Sequence, residues 1–258
     1  LAGSSAASDV YKRQILNRLE MFAVLKKEFN SFFASPMAYV VIGVFLLFNG
    51  LFLWVFKDDF NILNAGFADL NAFFFLAPWI FLFLIPAITM KSFADEYSSG
   101  TIELLKTKPI SDWQIVLGKF MAALLLVLSA LIPTLTYVFT LFKLGNPIGN
   151  FDIGGIVGSY IGLCFLASTY TAIGLFTSTL SKNQIVAFIL GVFLSFVLYY
   201  GFDAAANSFD QNTTLQQIGI HAHYKSIALG VIDTRDLLYF ASVTAFFLFV
   251  TKKRIENE

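Results

Sequence analysis

The sequence KSFADEYSSGTIELLKTKPISD, residues 91–112, is the longest charged segment in a chain that is otherwise mostly apolar. Apolar segments long enough to cross a bilayer lie on both sides of it, so we expect it to form a hairpin on one face of a membrane. It carries three acidic residues and three lysines before Asp112. Such a hairpin is a candidate docking surface, and an ordinary solvated loop is the alternative that its spacing leaves open.

Local signals predict that this charged segment is a broken helix. Gly100 follows two serines and tolerates the backbone angles of a turn or a helix cap. A second short helix follows and is expected to end at Pro109. Ser111 and Gln114 have the spacing of a capping box, which opens the next long helix.

Composition places the chain among integral membrane proteins. Of its 258 residues, 57% are hydrophobic and 13% are charged, and its mean hydropathy is +0.74. The single cysteine, Cys164, excludes a disulfide framework and a cysteine metal site. Residues 1–20 are rich in Ser and Ala and are typical of translated cloning or sequencing-adapter sequence, so we expect the natural chain to begin at Met21.

The apolar runs predict an all-α integral membrane protein with six transmembrane helices and an N-terminal interfacial amphipathic helix, all within one membrane domain, residues 21–258. Residues 21–35 repeat apolar positions with the helical period, which indicates a helix in the headgroup layer or, alternatively, the first turns of a longer tilted helix. Ser35-Pro36 favours a new helix start. The predicted spans are about 37–56, 71–90, 116–142, 153–180, 184–202 and 237–251.

The positions of Lys and Arg predict the orientation of the chain. One side holds ten of them, counted from Met21: Lys26, Lys27, Lys91, Lys106, Lys108, Lys119, Lys182, Lys252, Lys253 and Arg254. The other side holds four: Lys57, Lys143, Lys225 and Arg235. Because basic residues accumulate on the cytoplasmic side, we expect both termini and residues 91–112 in the cytoplasm, and residues 203–236 on the outside.

Gly154, Gly158 and Gly162 repeat every four positions in the fourth predicted span. In lipid, a stripe of small residues lets two helix backbones approach closely and gain van der Waals contact. We expect this helix face to pack tightly against a neighbour. The stripe leaves open whether that neighbour belongs to the same chain or to a partner.

The sequence lacks the motifs of several enzyme classes. It has no P-loop, no His-Glu-x-x-His motif and no Gly-x-Ser-x-Gly motif. No Asp, Glu, Arg or His falls in the middle of a predicted span, which argues against an ion-coupled carrier and an intramembrane hydrolase. His221 and His223 could bind a metal only with further ligands, for which Asp203, Asp210 and Asp233 are the candidates. We therefore expect both histidines to have a structural role in a loop.

Residues 93–111, FADEYSSGTIELLKTKPIS, resemble the segment after the second span of ABC-2 type transporter permeases. Within it, the pattern E-Y-x-x-G-T-x-E-x-L at residues 96–105 is specific to that broad family. Residues 21–35 and 223–240 resemble the family's interfacial helix and its extracytoplasmic re-entrant segment. More narrowly, residues 21–258 resemble the gliding-motility-associated ABC transporter permeases of Bacteroidota.

The resemblance implies a permease subunit of an ATP-driven exporter in the bacterial cytoplasmic (inner) membrane, serving gliding motility. It implies an ABC ATPase subunit that binds ATP, a second permease chain, identical or different, and contact with membrane lipids. It implies no enzymatic site, cofactor, metal or nucleic acid for this chain. The residues expected to couple the chain to the ATPase are Glu96, Tyr97, Gly100, Thr101 and Glu103.

Two other classes of protein remain as alternatives. A membrane scaffold of a motility or secretion machine would need no ATPase, and it would meet its partner through the glycine stripe. A membrane enzyme acting on lipids would need polar catalytic residues, for which residues 203–236 offer the candidates.

Overall fold

The computed structural model describes residues 20–64, 66–107, 110–208, 213–230 and 233–257. Within these ranges the chain is helical and contains no β-strand. Six helical stretches are long and apolar enough to cross a bilayer, which confirms the predicted fold class. These stretches are Met37–Val55, Asn71–Ser99, Asp112–Leu144, Ile153–Ser178, Gln184–Ser208 and Thr234–Glu256.

Short helices precede, join and extend these stretches. The α-helices are α1 (20–34), α2 (Met37–Gly50), α3 (Asn71–Thr89), α4 (Lys91–Ser99), α5 (Thr101–Lys106), α6 (Asp112–Leu131), α7 (Leu135–Leu144), α8 (Ile153–Ser178), α9 (Gln184–Phe196), α10 (Phe202–Ser208), α11 (Thr213–Gln216), α12 (Ile220–Ala228) and α13 (Thr234–Glu256). One π-helical turn extends α2 over Leu51–Val55, and a second joins α9 to α10 over Val197–Gly201.

The joint between α1 and α2 is held by the hydroxyl of Ser35. This hydroxyl accepts a hydrogen bond from the Met37 N–H at 3.3 Å and donates one to the Phe32 carbonyl at 3.1 Å. The structure begins α2 at Met37, one residue after the predicted start at Pro36. Since such bonds fix the exit of one helix and the entry of the next, α1 has a defined direction relative to the first span.

The second span does not end in a loop, because α3 passes directly into α4. Met90 lies between them and keeps right-handed helical angles. Thr89 is buried, and its hydroxyl donates to the Ile85 carbonyl at 3.0 Å. Gly174 of α8 lies against it so closely that an added Cβ would be 2.1 Å from the Thr89 hydroxyl oxygen. The end of α3 is therefore fixed against the bundle, and α4 projects from it.

The third span consists of α6, a 3-10 turn and α7. The structure confirms the capping box: the Gln114 N–H donates to the Ser111 hydroxyl at 3.4 Å, and the Ser111 N–H donates to the Gln114 side chain at 2.6 Å. The 3-10 turn, Ile132–Thr134, contains Pro133, where the sequence predicts a kink. This turn divides the third span into two helices. The start of α6 lies beside α4, and α7 forms the opposite end of the span.

The fourth span, α8, lies at the centre of the bundle and packs against α3, α6, α9, α12 and α13. The Asp152 carboxylate caps it by accepting from the Gly155 N–H at 3.0 Å. Tyr170, near its middle, is fully buried. The mixed apolar and small residues of α8 thus provide a helix that is covered on nearly all sides.

The glycine stripe of α8 packs within the chain, against α12. An added Cβ on Gly158 would lie 3.0 Å from the Ile227 carbonyl oxygen, and one on Gly162 would lie 3.2 Å from the Ile227 side chain. A Cβ on Gly154 would instead meet the capping carboxylate of Asp152 at 3.4 Å. Two of the three glycines therefore allow the close approach of α12, and the third lies beside the helix cap.

The polar stretch between the fifth and sixth spans contains α12, which is inserted against the bundle. Its residues Ile220, Tyr224 and Ile227 are buried. The Tyr224 hydroxyl donates to the Phe74 carbonyl of α3 at 2.7 Å. Burial raises the pKa of this hydroxyl well above its usual range, so it keeps the proton that it donates. Asp233 then caps the last span, accepting from the Arg235 N–H at 2.9 Å.

Candidate functional site

The charged segment folds as two short helices that meet at Gly100. This glycine has a φ of 70° and a ψ of 9°, in the left-handed region, where an L-residue is disfavoured by about 1–2 kcal/mol. The Ser99 hydroxyl donates to the Asp95 carbonyl at 2.7 Å and lies 2.9 Å from the Thr101 hydroxyl. The helix break predicted at this glycine is therefore present, and α4 and α5 form a hairpin.

A buried lysine of α6 holds this hairpin. The Lys119 side chain is 3% exposed, and its ammonium donates to the Glu96 carboxylate at 2.8 Å and to the Glu28 carboxylate at 3.1 Å. It also donates to the Ser92 carbonyl at 2.8 Å. We call these four residues the Lys119 cluster. All three ammonium protons have acceptors, so the cluster satisfies a charge that has lost its water.

The Lys119 cluster joins three parts of the chain that lie far apart in sequence. Glu28 belongs to α1, Glu96 belongs to α4, and the lysine belongs to α6. The ring of Phe93, also on α4, lies 5.2 Å from the ammonium and adds a cation–π contact. Movement of α4 must therefore move α1 and the start of α6 or break this cluster.

A second contact ties α4 to the fifth span. The Gln184 side-chain amide donates to the Asp95 carboxylate, and Gln184 is the first residue of α9. The side chain of Asn183 caps the same helix, accepting from the Ile185 N–H at 2.8 Å. We call the side of the hairpin that carries Ser92, Asp95 and Glu96 the inner face.

The opposite side of the hairpin, which we call the outer face, is open to solvent. Thr101 and Glu103 are exposed, and the Leu104 side chain is 65% exposed. The outer face therefore presents both polar and apolar side chains to solvent.

A cleft of about 500 Å³ lies beside the outer face, between the hairpin, the turn after α8 and the end of α13. Tyr97, Gly100 and Glu103 line it, together with the basic residues Lys106, Lys182 and Arg254. We call it the outer cleft. Its lining holds three basic side chains and one acidic side chain, so it fits a partner surface with acidic groups opposite the lysines and a basic group opposite Glu103.

The structure separates the five residues that the sequence assigns to coupling. Gly100 forms the turn, Thr101 and Glu103 lie on the outer face, and half-buried Tyr97 lines the outer cleft. Glu96 instead lies on the inner face, with its side chain 13% exposed and bound to Lys119. Sequence reasoning did not identify Lys119 and Glu28 as its partners, although a lysine inside a predicted span is a signal that a partner exists.

The two histidines pair with single carboxylates. His221 Nδ1 contacts the Asp203 carboxylate, and His223 Nδ1 lies 2.7 Å from the Asp236 carboxylate. Asp233 serves as the cap of α13, and Asp210 lies outside the described residues. In the described ranges no group of three or more His, Cys, Asp or Glu side chains could hold a metal ion. The pairs fix α12 to α10 and α13.

These features define a multi-pass membrane protein whose charged hairpin is anchored on one side and open on the other. The sequence model of the ABC-2 family transporter protein family matches residues 22–251. The chain therefore belongs to this family, and it is a permease component of an ABC transporter, without an ATPase site of its own. Membership implies an ABC ATPase partner and surrounding membrane lipids. No curated protein matches the chain.

Proposed function

We propose that the chain is the permease of an ATP-driven exporter, and that its ATPase subunit docks on the outer face of the α4–α5 hairpin. The observation that carries this proposal is the division of the hairpin: the inner face is bonded to α1, α6 and α9, while the outer face exposes Thr101, Glu103 and Leu104. The permease itself uses no cofactor, and ATP binds to the partner.

The contacts of the inner face connect the docking of the ATPase to movement of the spans. When two ATPase subunits close on ATP, the outer face is pushed together with α4, because the single residue Gly100 joins α4 to α5. The Lys119 cluster passes this displacement to α1 and α6, and Asp95 passes it to α9. The first, second and fifth spans then shift and open a path for the cargo.

The remaining assignments complete this proposal. The excess of basic residues on the hairpin side supports a cytoplasmic hairpin and cytoplasmic termini. The α-helical spans and the family support residence in the bacterial inner membrane. A second permease chain, identical or different, would form the other wall of the path. The similarity of residues 21–258 to gliding-motility permeases supports a role in gliding motility, with a lipid-linked, polysaccharide or peptide cargo.

The proposal is tested by purifying the tagged chain from native membranes in mild detergent, followed by mass spectrometry and an ATPase assay. A stoichiometric P-loop ATPase is expected. Reversing two charges of the outer cleft, Lys106→Glu with Lys182→Glu, should lower its recovery by about tenfold or more. Lys143→Glu, at the opposite end of the bundle, is the matched control. A folded chain recovered without any ATPase would contradict the proposal.

The alternative function, a membrane scaffold, has little support from the structure. Its expected partner surface was the glycine stripe, but Gly158 and Gly162 pack against α12 of the same chain. The lipid-acting enzyme has no better support, because among the described residues no third His, Cys, Asp or Glu joins either histidine–carboxylate pair.

A further inference from the structure

A polar cleft and an apolar groove meet at Met37, the first residue of the first span. The polar cleft, about 310 Å³, lies between α1, α4 and α6 and is lined in part by Lys27, Glu28, Lys91 and Glu96. The apolar groove, about 580 Å³, lies between α2, α3 and α9. Met37 lines both, so the two form one continuous surface on the outside of the bundle.

The apolar groove is lined by aliphatic and aromatic side chains, among them Val44, Phe48 and Trp79. Val44 is 39% and Phe48 is 46% exposed, and no helix among the described residues covers them. In a bilayer, an open groove beside a spanning helix is filled by hydrocarbon, which comes from an acyl chain or from another helix. The chemistry of the polar cleft at the end of the groove distinguishes between an acyl chain and another helix.

The polar cleft lies where the first apolar span begins, at the depth of the lipid headgroups. Three lysines and three acidic residues line it: Lys27, Lys91, Lys119, Glu28, Asp95 and Glu96. The cleft thus has no net formal charge, which matches a zwitterion better than an anion. A phospholipid has an ionic headgroup attached directly to its acyl chains, so one molecule can contact the polar cleft and the apolar groove together.

Not all of these charges are neutralised within the chain. Lys91 is exposed and forms no ion pair with any residue that the structure describes. Lys27 is 68% exposed and lies 3.4 Å from Glu28. On the other side of the cleft, the half-buried Asp95 carboxylate accepts one hydrogen bond from the Gln184 amide, and its second oxygen receives none from the described part of the chain. Two cations and one acceptor oxygen thus have capacity for a ligand.

We propose that this surface binds one glycerophospholipid whose headgroup carries a primary ammonium group, as in phosphatidylethanolamine. Its phosphate contacts Lys27 and Lys91, its ammonium contacts the carboxylate of Asp95, and one acyl chain occupies the apolar groove. Charge-assisted hydrogen bonds hold the headgroup, and packing against the groove holds the chain. The proposal concerns a resident lipid and does not depend on the docking of an ATPase.

Headgroup chemistry gives this site a specific selectivity. Phosphatidylcholine has the same charges but its quaternary ammonium has no N–H, so it cannot donate to a carboxylate oxygen. Phosphatidylglycerol has the phosphate but no cation, and it would leave the Asp95 carboxylate without a counter-ion. The site should therefore prefer phosphatidylethanolamine over both lipids of the same acyl composition.

The test measures lipid retention by the purified full-length chain with native mass spectrometry, after exchange into each of the three lipids. We expect one tightly retained phosphatidylethanolamine per chain. Lys27→Gln with Lys91→Gln should lower its retention by about tenfold, and Val44→Trp should also lower it by filling the groove. Lys143→Gln and Val55→Trp, exposed positions outside the cleft and groove, are the matched controls and should retain the lipid.

Three results would overturn the proposal. The first is equal retention of the three lipids, which would show that the headgroup is not recognised. The second is unchanged retention in the double lysine variant, which would place the lipid elsewhere. The third is a Val44→Cys variant that cross-links to a second copy in membranes while no lipid is retained, because the groove would then be covered by another chain.

Discussion

Glu96 and Glu103 lie seven residues apart on the same hairpin and have opposite surroundings. Glu96 lies on the inner face, with its side chain 13% exposed and bonded to Lys119 at 2.8 Å, whereas Glu103 lies on the outer face and is exposed. The same residue type is thus held in a buried ion pair in one place and open to solvent in the other. The proposed coupling needs both, since a hairpin that is not anchored would move alone.

Removal of the buried Lys119 ammonium should destabilise the inner face more than any other change. Lys119→Met leaves the Glu96 carboxylate without its counter-ion and removes the buried partner of Glu28, and we expect a loss of about 3 kcal/mol in the free energy of unfolding. Denaturant unfolding in detergent micelles measures it. Lys143→Met, an exposed lysine at the opposite end, should change stability by less than about 0.5 kcal/mol. Equal effects of the two substitutions would show that the cluster does not anchor the hairpin.

A steric substitution tests the same anchor without changing charge. An added Cβ on Gly118 of α6 would lie 2.8 Å from the Val24 side chain of α1. Gly118→Ala should therefore push α1 away and destabilise the chain by about 1–2 kcal/mol. Gly43→Ala is the matched control, because nothing lies within 4 Å of its added Cβ, and a helical alanine there should stabilise by about 0.5–1 kcal/mol.

The turn between the two faces can be perturbed by backbone strain alone. Gly100 and Gly66 have φ values of 70° and 73°, and open space surrounds both. Alanine at either position should cost about 1 kcal/mol. Only Gly100→Ala should also reduce ATPase stimulation by the permease, because it changes the angle between α4 and α5. If Gly66→Ala reduced stimulation equally, the effect would be one of stability rather than of the turn.

Much of this architecture could be predicted from local sequence. The six spans follow from apolar length, the capping box follows from the spacing of Ser111 and Gln114, and the break at Gly100 follows from the conformational freedom of glycine. In each case the physical cause lies within a few residues of its effect.

The direction in which Glu96 points could not be predicted in this way. Its burial depends on Lys119, which is 23 residues away, and on Glu28, which lies 91 residues from that lysine. A charged residue on a short helix is exposed by default, and only tertiary packing makes it an anchor. The helix that packs against the glycine stripe could not be predicted for the same reason, because α12 lies far along the chain from Gly158.

The most direct measurement of the central claim compares Glu96→Ala with Glu103→Ala in two assays, unfolding in detergent and recovery of the ATPase from native membranes. Glu96→Ala should lower the free energy of unfolding by about 2 kcal/mol. Glu103→Ala should leave it within about 0.5 kcal/mol while lowering ATPase recovery. The reverse pattern, or equal effects of the two substitutions in both assays, would contradict the division of the hairpin into an anchored and a docking face.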